Sequence, residues 1–230
     1  MKNLPFYIPA SFILTTGLTI CFFYRATNRS KAVLIFALLL LSVQMVVALT
    51  GFFMVTTTSP PRLILLAPPV GLIIIALFLS AKGKRFLDSL DLKFLTLLHV
   101  VRLPVELVLY WLFLHKAVPE LMTFEGRNFD LFSGLTAPLV YYLGFVKKKL
   151  SPNILLLWNL VCLALLFNIV INAILSAPTP FQQFAFDQPN IAILYFPFIW
   201  LPGFIVPVVL LAHLATIRRL VSISGEKKFL

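Results

Sequence analysis

Seven apolar runs divided by short polar or basic segments pattern this chain: Phe6–Tyr24, Ala32–Met54, Leu63–Ser80, Phe94–His115, Leu131–Val146, Ile154–Leu175 and Ile191–Ile217. A helix that crosses a bilayer needs about 20 predominantly apolar residues. The pattern therefore predicts an all-α, polytopic membrane protein: a bundle of seven transmembrane helices. The third and fifth runs are the shortest, and the last is long enough to tilt or kink.

Composition agrees. Of 230 residues, 60% are hydrophobic and 12% charged, and the mean hydropathy is +1.00. Soluble domains carry about 25% charged residues. Seven spans use nearly the whole chain, so residues 1–230 are expected to form a single transmembrane domain with its chemistry inside the bundle or at its mouths.

The net charge of +11 lies in short blocks between the runs. Arg25, Arg29, Lys31, Lys82, Lys84, Arg85, Lys93, Lys147, Lys148, Lys149, Arg218, Arg219, Lys227 and Lys228 fall on one side of the alternating topology. Lys2, Arg62, Lys116 and Arg127 fall on the other. Basic residues accumulate on the cytoplasmic side, so this bias predicts the N-terminus outside and the C-terminus in the cytoplasm of a plasma or bacterial inner membrane. The same distribution argues against a nucleic-acid partner, because no separate basic domain exists. The first run is expected to be a retained helix: no small-x-small cleavage site follows it, and the cluster Arg25–Lys31 pins its end inside. Cys21 and Cys162 fall in separate runs and read as small buried hydrophobes.

The fourth run carries the candidate chemistry: His99, Arg102, Glu106 and Tyr110. At 100° per residue they share a stripe about 80° wide, expected to face the bundle interior. Arg102 and Glu106 are four residues apart and are expected to pair near the middle of the bilayer. Ionisable residues there are costly and mark sites for a substrate, ion or proton, although an ion pair can also serve packing alone. Pro104, between them, predicts a kink. Asp130 is placed to cap the fifth helix, and Glu125-Gly126-Arg127-Asn128 reads as an exposed turn or, alternatively, as a vestibule leading to Glu106. Ser42, Gln44, Ser133, Thr136, Asn159, Asn168 and Asn172 read as interhelical hydrogen-bond glue. Pro68, Pro69, Pro197, Pro202 and Pro207 predict interrupted spans of the kind that line cavities. Phe181, Phe184 and Phe186 are placed to seat the sixth loop in the headgroup layer.

His99 and His213 fall at matching depth on separate runs, but no cysteine or carboxylate cluster stands beside them, so neither a metal nor a cofactor is expected. No lysine lies between Ile191 and Ile217, as a microbial rhodopsin would require. The polar fourth run does not suit the linker helix of sugar transporters built from two triple-helix repeats. Three histidines are too few for a progestin-receptor-like zinc hydrolase.

The leading expectation is a transporter of a small solute or ion, or a proton-linked carrier, with Glu106 as the protonatable group, Arg102 its partner and His99 a relay. A non-catalytic subunit or sensor, or an enzyme acting on a lipid or isoprenoid within the membrane, are the alternatives. No protein partner is specified by the pattern.

Overall fold

The computed structural model describes residues 4–226, so Lys2, Lys227 and Lys228 of the charge pattern lie outside the described residues. Nine α-helices and no strand occur among the described residues: α1 (Tyr7–Ala26), α2 (Lys31–Leu49), α3 (Ala67–Leu79), α4 (Ala81–Ser89), α5 (Leu92–Leu98), α6 (Arg102–Leu114), α7 (Leu131–Tyr141), α8 (Pro152–Leu175) and α9 (Val206–Glu226).

Among the described residues six stretches are long and apolar enough to cross a membrane: Tyr7–Ala26, Lys31–Leu49, Arg62–Leu79, Leu92–Leu114, Pro152–Leu175 and Leu201–Ser222. The fifth run, Leu131–Val146, is helical but shorter. At 1.5 Å per residue it covers roughly 24 Å, against a hydrocarbon core of about 30 Å.

The turns on the two faces of the bundle differ. On the basic face they are short and capped. Ser30 accepts from the Val33 amide and Ser80 from Gly83, at 3.5 and 3.0 Å. Asp91 accepts from Lys93 and Ser151 from Ile154, at 2.8 and 3.3 Å. These side chains satisfy amides that a helix start leaves unpaired. On the opposite face the connections are long and folded inward. Ala117, Val118, Met122, Thr123 and Asn128 are buried in the fourth loop. The sixth loop lies against it. Ile191 and Ala192 amides donate to the Ala117 carbonyl at 3.1 and 3.0 Å, and Gln188 Nε2 donates to Phe113 and Val118 carbonyls at 3.0 and 2.6 Å. Backbone polar groups in these non-helical segments are thus paired inside protein, which irregular chain at the mouth of a membrane bundle requires.

Two spans form the centre. Leu92–Leu114 is 50% buried and Leu201–Ser222 is 56% buried, against 22% for Lys31–Leu49. The other spans present large apolar side chains outward, such as Leu14, Leu39, Leu72 and Leu157, as lipid-facing surfaces do. Cys162 is buried, whereas Cys21 is exposed on this perimeter rather than buried as its apolar surroundings in sequence suggest.

Pro68 and Pro69, expected to interrupt the third span, sit instead in the first turn of α3, directly after a 3₁₀ turn over Arg62–Leu66 and within one continuous apolar stretch. The fourth and last runs do break at their prolines. Pro104 has no N–H for the Val100 carbonyl, and the fourth span passes through a 3₁₀ turn at His99–Val101 between α5 and α6. The last run is not one helix from Ile191. Ile191–Trp200 is a short 3₁₀ turn plus irregular chain in the sixth-loop cap, and helix starts at Leu201. Pro197 disfavours helical backbone at Phe196 before it, whereas Pro202 sits in the first turn of the helix, where a missing N–H is tolerated. A π turn over Leu201–Ile205 then leads into α9. Pro207 cannot donate to the Gly203 carbonyl four residues back, and Gln44 Nε2 takes that place at 2.9 Å. Trp200 Nε1 donates to the Leu41 carbonyl at 3.0 Å, so both bonds fasten α2 to this interruption.

Candidate functional site

The stripe on the fourth span turns inward for three of its four members. His99, Arg102 and Glu106 are buried, at 0, 3 and 3% exposure. Tyr110 is only half-buried and stacks with Phe124 at 5.0 Å between ring centroids, toward the fourth loop. It stands apart from the buried cluster.

Arg102 does not pair with Glu106. Its guanidinium forms an ion pair with Asp130, which is buried beside it. Asp130 sits at the start of α7, but its carboxylate makes no capping bond to the helix backbone. It accepts instead from Arg102 and, at 3.4 Å, from the Ser133 hydroxyl. The reason is geometric. Asn128 and Asp130 enter the bundle on the folded-in fourth loop and reach the two charges first. Glu106 lies eight residues before the end of α6 at Leu114, roughly 12 Å along the axis, so the loop descends about that far. The small face of α7 allows this approach: Ser133, Gly134 and Ala137 are buried, and a Cβ on Gly134 would stand 3.0 Å from Leu103 Cγ.

Glu106 takes a hydrogen bond from Asn128 Nδ2 on one oxygen. Its other oxygen, Oε2, is buried without a partner among the described residues. Asn128 is held in turn: its Nδ2 also donates to the Met122 carbonyl at 3.0 Å, and its Oδ1 accepts from the Asp130 amide at 3.0 Å. The turn Glu125–Asn128 therefore splits: Glu125 and Arg127 are exposed, whereas Asn128 points inward.

On its far side Arg102 meets α9 and α8. Nη2 lies 2.8 Å from His213 Nε2, and Nη1 donates to the Cys162 carbonyl at 3.5 Å. A guanidinium only donates, so His213 accepts through Nε2 and carries its proton on Nδ1. That proton is directed at Asn159 Oδ1, 3.0 Å away, and Asn159 Nδ2 donates to the Leu155 carbonyl at 2.9 Å. His99 stacks on His213 with centroids 4.0 Å apart and planes 18° from parallel. Trp158 meets the His99 ring edge-on at 5.5 Å. Both His99 nitrogens are buried without a hydrogen-bond partner among the described residues. The two histidines thus meet face to face, and both nitrogens of His213 are already engaged, which leaves that ring none for a metal.

The other polar residues of the spans divide. Gln44 and Asn159 hold helices together as described. Thr136 accepts from Trp158 Nε1 at 2.9 Å. Asn168, on the opposite side of α8 from Asn159, donates to the Arg127 carbonyl at 2.8 Å, and Asn172 donates to Asn168 at 3.4 Å. Ser42 is exposed on the perimeter. In the sixth loop Phe181 and Phe186 are exposed, and Phe184 lies 5.8 Å beneath the Arg127 guanidinium.

Between the two folded loops lies a cavity of about 440 Å³, lined by Phe113, Pro119, Glu120, Leu121, Gly126, Arg127, Ala185, Asp187 and Gln188. Two of its lining residues, Gly126 and Arg127, immediately precede Asn128, the partner of Glu106.

Asn128, Asp130, Asn159 and His213 complete a cluster that residue spacing on one helix cannot reveal. The sequence signal nearest to it is that Asp130 directly precedes the shortest apolar run.

Neither a curated protein nor a solved structure matches the chain. Residues 59–221 match a family described as a domain of unknown function (DUF8737), a stretch that holds every member of the buried cluster but not α1 or α2. Because that match covers well over half of the sequence, the chain belongs to the DUF8737 family.

Proposed function

We propose that this protein is a proton-linked carrier of a small solute or ion. It crosses a plasma or bacterial inner membrane seven times as one domain, with its N-terminus outside and its basic face in the cytoplasm. The seven crossings rest on six long apolar stretches plus the shorter helix Leu131–Val146. The orientation rests on the concentration of Lys and Arg on one face.

The observation that carries the transport reading is the position of Glu106. One guanidinium and two carboxylates share the buried cluster, and Asp130 has the guanidinium. Glu106 is left with one amide donor and one unpartnered oxygen. An acid so placed changes the balance of the cluster when it gains or loses a proton: once ionised, it competes with Asp130 for Arg102. Such a competition couples protonation to the position of the fourth loop, because Asn128 and Asp130 both belong to it. The cavity between the two folded loops, lined in part by Gly126 and Arg127 just before Asn128, supplies the outer entry for the solute. The stacked His99 and His213 continue the polar path toward the cytoplasmic side.

The test is proton movement in liposomes containing the purified protein, monitored by an internal pH dye while small solutes are added in turn. The reading predicts that at least one solute drives proton flux and that Glu106→Gln abolishes it at equal protein content. Identical traces from the wild type and Glu106→Gln with every solute would overturn it.

The closed network Asn159–His213–Arg102–Asp130 favours a second reading, a non-catalytic subunit or sensor. These four side chains tie α8, α9, α6 and the start of α7 together and need no ligand to do so. Under that reading Glu106→Gln leaves all flux unchanged, and a stoichiometric protein partner co-purifies.

A further inference from the structure

The basic face holds a second polar cavity, about 260 Å³, lined by Arg25, Asn28, Arg29, Asp91 and Phe94. We propose that it binds a singly charged phosphodiester, the headgroup of an anionic membrane lipid.

The walls are built. The Asp91 amide donates to the Ala26 carbonyl and Asn28 Nδ2 to the Ser89 carbonyl, both at 2.8 Å, so the end of α1 is stitched to the start of α5. Asn28 and Arg29 follow one another in left-handed backbone, at φ 53° and 60°. Left-handed backbone is uncommon for residues with a side chain, although asparagine enters it more readily than arginine does.

The donors are free. Ion pairs among the described residues join Arg102 to Asp130 and Arg218 to Asp88, and none involves Arg25 or Arg29. The Arg25 guanidinium lies 5.7 Å over the Phe94 ring. That contact occupies the face of the guanidinium and leaves its in-plane N–H groups for a phosphate, which they match in bidentate geometry. Asp91 already accepts from the Lys93 amide at 2.8 Å.

Charge selects the ligand. Two guanidiniums and one carboxylate line the cavity, a net charge of +1. A phosphodiester with one negative charge balances this, whereas a phosphate monoester brings nearly two. Location selects the source. Arg25 is in the last turn of one apolar span and Phe94 in the first turn of another, so the cavity lies where lipid headgroups lie. Phe94 is the apolar residue of the lining.

The test measures thermal stabilisation of the detergent-purified full chain by short-chain phosphatidylglycerol, by phosphatidylcholine of equal length and by glycerophosphoglycerol, the soluble headgroup diester. The proposal expects phosphatidylglycerol to stabilise the protein, phosphatidylcholine not to, and the apparent affinity to fall at least tenfold in Arg25→Gln/Arg29→Gln. Lys82→Gln/Lys84→Gln, exposed on the same face but outside the cavity, keeps wild-type affinity. Equal binding of glycerophosphoglycerol would assign the site to a soluble diester, and weaker binding assigns it to the lipid. Asp91→Asn raises the lining charge and should tighten binding, a check that stands even if the double variant does not fold. Phosphatidylglycerol binding that survives loss of both arginines, or that falls equally in the two double variants, would overturn the proposal, as would an Asp91→Asn that weakens it.

Discussion

Arg102 and His213 meet at 2.8 Å, and the direction of that bond sets the state of the imidazole. The guanidinium has no acceptor, so His213 is fixed as the Nδ1–H tautomer and hands its proton toward Asn159. One cation thus organises three helices and a loop. His213→Phe keeps a ring to stack on His99 but leaves an Arg102 N–H and the Asn159 oxygen without partners. A loss of about 1–3 kcal/mol follows for each buried group stranded this way. Chemical or thermal unfolding in detergent checks it, with Leu210→Ala as a packing control.

Asp130 and not Glu106 neutralises Arg102. Asp130→Ala should therefore cost about 3–5 kcal/mol, the penalty of a buried charge without its partner. Glu106→Gln keeps an acceptor for Asn128 and should change stability by less than about 1 kcal/mol. The double change Arg102→Met/Asp130→Leu removes both charges and should be milder than Asp130→Ala alone. Equal losses for Asp130→Ala and Glu106→Gln in the same unfolding assay would contradict the pairing.

Gln44 covers the carbonyl that Pro207 leaves unpaired at Gly203. Gln44→Leu strands that carbonyl and should cost about 1–3 kcal/mol. Restoring the amide donor with Pro207→Ala should recover part of the loss, which a double-mutant cycle measures. At Gly203 itself a Cβ would meet the Gln44 side chain, with its Cδ 2.8 Å away. Gly203→Ala should thus be destabilising in the wild type and better tolerated when residue 44 is Ala.

Gly126 marks the tightest point of the fourth loop. A Cβ there would run into the backbone of Glu120 and Leu121, which cannot yield as a flexible side chain does. Gly126→Ala should loosen the turn that aims Asn128 at Glu106. Hydrogen exchange should rise across 120–130 while α8 stays protected; unchanged exchange in the loop would refute this role.

Each of the seven apolar runs contains a helix, and the inward turn of His99, Arg102 and Glu106 is legible in sequence because charges in an apolar run have one way to avoid lipid. Pro104 likewise announces the break beside them. The partner of Arg102 is not legible. Spacing on one helix makes Glu106 the nearest acid, but Asp130, 28 residues on, arrives through a loop whose depth depends on tertiary packing. Polar residues in that loop read as solvated because their sequence neighbours Glu125 and Arg127 are. The last span shows the same limit: apolar residues Ile191–Trp200 look helical by composition, yet their prolines and the fourth loop make them part of a cap.

Infrared difference spectra of the protein in lipid, recorded as the bulk pH is stepped, test the central claim most directly. A protonated-carboxyl band that appears and fades with pH in the wild type and is missing from Glu106→Gln is the predicted result. Identical difference spectra from the wild type and Glu106→Gln would contradict the account, because Glu106 would then hold one protonation state throughout and have no proton to couple.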